Sequence, residues 1–153
     1  MRTRLLSRSR VLLLLVVISL ALFVLQLVAL AYGGLVAIST VVPHGGAAWK
    51  FLARVDASAL LLGAVPAGLV AYVVARIVAR GSWARPLGVK LPRLALGTWL
   101  AVWAGCWIAF YARVAGVDPR SWSFALFSKP QLWYGLVLVA AGLWAGSRPR
   151  HGA

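Results

Sequence analysis

An all-α membrane protein with four transmembrane helices and both termini in the cytoplasm is what the sequence predicts, on three observations. Of 153 residues, 63% are apolar and 12% are charged, about half the charged share that a soluble domain carries on its surface. The mean hydropathy is +0.91. Sixteen Lys and Arg, set against two acids, stand at the ends of apolar runs. A net charge of +14 would otherwise suggest nucleic acid. No soluble segment is long enough to carry such a role, so no nucleic-acid partner is expected. The cations are assigned to topology and to contact with anionic membrane lipids. The single Cys106 excludes a disulfide framework and a multi-thiolate metal site.

A helix needs about 20 apolar residues to cross hydrocarbon, and residues 1–153 read as one domain of four such helices. The first, 11–31, is uncharged. Arg2, Arg4, Arg8 and Arg10 precede it in the manner of a secretory signal, and Ala29-Leu30-Ala31 offers a cleavage pattern. Its apolar run exceeds the roughly 7–15 residues of a signal core, so a retained anchor is expected. The second, 57–79, follows Lys50 and Arg54, ends among Arg76 and Arg80, and contains Pro66, which should free a carbonyl and kink the helix. The third, 94–112, lies between Arg93 and Arg113. The fourth, 131–146, is shorter and needs a thin local bilayer or help from residues 124–127. The segment 121–127, Ser-Trp-Ser-Phe-Ala-Leu-Phe, is expected to lie in the interface with its rings down.

Orientation follows the excess of cations on cytoplasmic segments. Eleven lie on one side: Arg2, Arg4, Arg8, Arg10, Arg76, Arg80, Arg85, Lys90, Arg93, Arg148 and Arg150. Five (Lys50, Arg54, Arg113, Arg120 and Lys129) lie on the other. Arginine is preferred over lysine, and alanine, glycine and valine are abundant, as in proteins of GC-rich genomes. A multi-pass protein of the bacterial inner membrane is therefore expected.

Two faces stand out. The second helix carries small residues every fourth position (Ala59, Gly63, Ala67, Ala71, Ala75, Ala79), thickened by Ala64 and Gly68, and the third carries Gly97, Ala101, Gly105 and Ala109. Helices in lipid associate where small side chains let backbones approach, so these two rows are expected to face each other. Two positions away, about 200° around the third helix, runs Trp99, Trp103, Trp107 and Tyr111. Rings this deep either pack against the first or fourth helix, meet another subunit, or hold a flat or isoprenoid ligand such as a quinone, carotenoid or pigment. An indole N–H at that depth wants an acceptor.

Polar groups suited to chemistry are few. Asp56 enters the second helix with Arg54 and Lys50 nearby in sequence and Arg113 on the same side. It is expected to take part in an ion pair or helix start, or else to handle a proton or substrate. His44 lies in a Pro-His-Gly turn and cannot form a two-histidine haem or metal site with His151, which belongs to the opposite side. Gln26 should turn inward and hydrogen-bond another helix. Asp118 reads as a turn residue before Pro119, and Cys106 as a packing residue. No phosphate loop, zinc motif or acidic dyad occurs.

These features favour a small non-catalytic subunit of a larger membrane assembly, of energy-converting, light-harvesting or secretion type. Its partners would be other integral membrane subunits or copies of itself. An oligomeric transporter or channel would need a polar path, which only Gln26, Asp56 and Thr98 begin. An enzyme acting on a lipid or polyprenyl substrate would have to work with Asp56, His44 and Arg113.

Overall fold

A computed structural model describes residues 2–41, 48–81, 84–114 and 130–148, and all regular structure in them is helical. Three helices are long and apolar enough to cross a membrane, Ser9–Gly33, Ala53–Arg80 and Leu87–Phe110, and a shorter apolar helix covers Gln131–Ser147. Leucines, valines and isoleucines such as Leu13, Val28, Leu61, Leu69, Ile77 and Val137 are exposed around the outside. That arrangement is costly in water and neutral in hydrocarbon.

Helix α1 runs Arg2–Val41, well past both ends of the apolar segment. Arginine and leucine are good helix formers, so nothing stops the helix where the charges begin. Its 40 residues span about 60 Å, roughly twice the hydrocarbon thickness. The second span is a continuous run of α2 (Ala48–Ser58), a π-helical stretch (Ala59–Ala64) and α3 (Val65–Arg80). The wide turn sits immediately before Pro66, and Val65 N–H donates to the Leu60 carbonyl, five residues back. Pro66 thus produces a π-bulge within helical backbone. The extra residue per turn makes room for the ring that would clash with an α-helical carbonyl.

Beyond α3, Gly81 turns the chain with extended backbone, and Ala84 and Leu87 N–H donate to the Gly81 and Ala84 carbonyls, each at 3.0 Å. A tight 3-10 turn, Arg85–Lys90, is broken at Gly88, where φ is +41°. Only glycine takes that conformation without strain. Helix α4 (Leu91–Val114) follows. Helix α5 (Pro130–Ser147) starts on a proline, whose missing N–H costs nothing there.

The spans form a ring in which α1 lies between the second span and α4, and α5 completes it between α3 and α4. Spans two and three, though consecutive in the chain, are therefore diagonal. The most intimate contact joins α3 to α5. A Cβ on Gly68 would come within 2.9 Å of the Leu138 carbonyl oxygen, one on Gly142 would overlap the Gly68 carbonyl, and one on Gly146 would overlap that of Tyr72. On the other side, a Cβ on Gly63 would lie 3.1 Å from that of Ala29, and one on Gly33 3.2 Å from the Ala59 nitrogen. The small row of the second span (Ala59, Gly63, Ala67, Ala71, Ala75) is thus buried, divided between α1 and α5.

The expected meeting of the two small rows does not occur. Gly97, Ala101, Gly105 and Ala109 are all exposed, and a Cβ on Gly97 or Gly105 would meet no atom within 4 Å. The reason is volume. The backbones of α3 and α5 almost touch, which leaves the space between α1, α4 and α5 to be filled by bulk, since interiors pack without voids. The indoles of α4 fill it, and their rotation inward turns the small row outward. His44, His151, Asp118, the 121–127 segment and the side chain of Tyr111 lie outside the described residues.

Candidate functional site

The first two turns of α5 meet each of the other spans through polar or aromatic groups. Trp99 is fully buried, and its indole N–H donates to the Leu136 carbonyl at 3.1 Å. That oxygen has a second lone pair beyond the one used in its own helix. Trp103, one turn further along α4, is 6% exposed. Its ring lies 5.8 Å from that of Trp133 on α5 and 6.1 Å, edge-on, from that of Trp107. Trp107 in turn packs edge-on against Phe23 of α1 and Phe110, both at 5.7 Å. These are the geometries that aromatic quadrupoles favour. The indole N–H of Trp103 is buried with no hydrogen-bond partner among the described residues.

Gln26 projects from α1 into the same region and is 2% exposed. Its amide Nε2 donates to the Leu132 carbonyl at 3.2 Å, while its Oε1 is buried without a partner. The space it occupies exists because residue 135 is glycine. A Cβ there would overlap the glutamine amide and lie 2.7 Å from its Cγ. Gln131 reaches toward the second span and donates from Nε2 to Asp56 Oδ1. Its own Oε1 is also buried and unpartnered.

Among the described residues, Asp56 is therefore held by an amide. Arg54 is exposed, because a residue two positions away points to the opposite side of a helix. Arg113 is exposed at the end of α4, diagonal to the second span. Arg113 and Asp56 form no ion pair among the described residues. Thr98 bonds its own helix, Oγ1 to the Leu94 carbonyl at 2.8 Å, and so does not extend a polar path. Cys106 is half-buried and free.

Chemically, the region offers one indole donor and two amide acceptors in apolar surroundings. It has no nucleophile paired with a base. Among the described residues, no group of three or more His, Cys, Asp or Glu could hold a metal ion. Trp99, Trp103 and Trp107 are buried against their own chain. At the opposite end of the bundle, Arg76 Nη1 donates to the Arg148 carbonyl at 2.9 Å, and the Arg148 guanidinium lies 5.3 Å over the Trp144 ring.

The sequence reading missed Gln131, Gly135, Gly142 and Gly146. A signal for the last two was present in Gly142-Leu-Trp-Ala-Gly146, a small-xxx-small pair in an apolar helix. No protein-family model, curated protein or solved structure matches the chain.

Proposed function

We propose that the chain is a small non-catalytic integral membrane subunit that packs in, or stabilises, a larger complex of the bacterial inner membrane. An energy-converting, light-harvesting or secretion assembly is the class it suits. The observation that carries this reading is the outward row of α4. Gly97, Ala101, Gly105 and Ala109 expose backbone along about 18 Å of helix, with no atom of the described residues within 4 Å of a Cβ at the two glycines. Between helices in lipid, close backbone approach is the main source of attraction, and none of the described helices uses it here. The aromatic groups that might have served a ligand are spent internally, which adds support.

The test is gentle extraction of the C-terminally tagged protein, with mass spectrometry and visible absorbance of what co-elutes. A stoichiometric set of other membrane subunits is expected. Gly105→Leu should release them while leaving helicity and thermal stability of the chain itself unchanged. Elution of the wild type alone, as a defined homo-oligomer, would overturn the reading. It would favour an oligomeric transporter, for which the Asp56–Gln131 contact and buried Gln26 are the polar groups available. Loss of proton-coupled flux in Asp56→Asn would then identify that activity.

A further inference from the structure

At the end of the bundle that carries the α3–α4 connection, α1 and α4 part and leave an open groove of about 750 Å³, within the roughly 300–1,000 Å³ of ligand-binding clefts. Its walls are apolar, formed by Val11, Leu12 and Leu15 of α1 and Leu94 of α4, and its rim carries Lys90 and Arg93. Both cations are exposed. Lys90 ends the 3-10 turn and Arg93 stands in the first turn of α4, so both cations border the same groove.

Among the described residues, no carboxylate side chain lies at this end of the bundle: Asp56 sits at the opposite end, beside Gln131. A groove with an apolar floor continuous with the membrane-spanning surface and a cationic rim at its end has the polarity of a lipid, acyl chain below and headgroup above. Basic clefts between transmembrane helices hold anionic headgroups for this reason.

We propose that this groove binds an acidic phospholipid, with its phosphate on Lys90 and Arg93 and one acyl chain lying along the accessible Leu12, Val89 and Leu94. The uncompensated charge selects a lipid with net negative headgroup over a zwitterionic one of the same chains. The site belongs to the isolated chain and does not depend on a partner docking on α4.

The full-length protein in detergent would be exposed to phosphatidylglycerol or phosphatidylcholine of identical acyl chains, and bound lipid counted by native mass spectrometry. The wild type should retain phosphatidylglycerol preferentially. Lys90→Gln/Arg93→Gln should weaken that retention roughly 30-fold, whereas Arg80→Gln/Arg85→Gln, which removes equal charge from the same end outside the groove, should leave it within about twofold. Leu12→Trp, at a half-exposed wall position, should exclude lipid without removing charge, so a misfolded double variant does not decide the result. Equal retention of both lipids, or equal loss in the two double variants, would overturn the proposal. So would a lipid-free homodimer that Leu12→Trp dissociates, because the groove would then seat a second copy.

Discussion

Trp99 and Trp103 stand one turn apart on α4, both buried, yet only Trp99 has its indole N–H satisfied, by the Leu136 carbonyl. Replacing each with phenylalanine shrinks the ring alike but removes a made hydrogen bond in one case and an unmade one in the other. Deleting a buried donor that bonds nothing costs little or even stabilises. Trp99→Phe should therefore cost about 1 kcal/mol more than Trp103→Phe, read from denaturant titration in micelles. Equal costs would mean that the Trp103 N–H meets a bound water or ligand in the protein. At this scale, the inward turn of Gln26 was legible, because an amide inside an apolar helix has nowhere else to go. Its acceptor was not, since the backbone carbonyl of Leu132 is reachable only through the gap at Gly135. Asp56 misled for a simpler reason. Lys50 and Arg54 are near it in sequence, but the partner among the described residues is Gln131, 75 residues away.

The number of helices was legible, because apolar length marks each of them, although α1 runs well past both ends of its apolar segment. The face each presents was not. Small-residue rows mark where backbones can approach and carry no information about which helix approaches. The second span has two suitors, and Gly142 and Gly146 on α5 fit it more closely than α4 does. The π-bulge before Pro66 is likewise a tertiary outcome. The proline forbids one α-helical bond, and whether the helix kinks or widens depends on its neighbours. The glycines give a clean contrast at this scale. Gly142→Ala drives a methyl into the Gly68 carbonyl and should destabilise by about 1–3 kcal/mol through overpacking. Gly105→Ala meets open space and should stay within about 0.5 kcal/mol, in the same titration. If Gly142→Ala proved neutral, α3 and α5 would not be in the contact described.

For the whole molecule, the decisive quantity is the parity of crossings. The 18 residues of α5 rise about 27 Å, slightly short of the roughly 30 Å of hydrocarbon. Its glycines, however, seat it along most of α3, a helix within a span that is long and apolar enough to cross. A helix packed backbone to backbone on a crossing helix shares its depth, and a few missing ångströms are recovered by local thinning at small cost. On the proposed reading of four crossings, both termini lie on one side, and the excess of eleven cations over five favours the cytoplasm for it. In a Cys106→Ser background, which removes the sole native thiol, His44→Cys should react with a membrane-impermeant thiol reagent in intact spheroplasts. His151→Cys should react only after permeabilisation. Reaction of both from outside would mean an odd number of crossings, with α5 failing to traverse. Reversed accessibility would keep the four-span bundle and invert it, which would place Lys90 and Arg93 on the outer leaflet and leave the cation count without its topological cause.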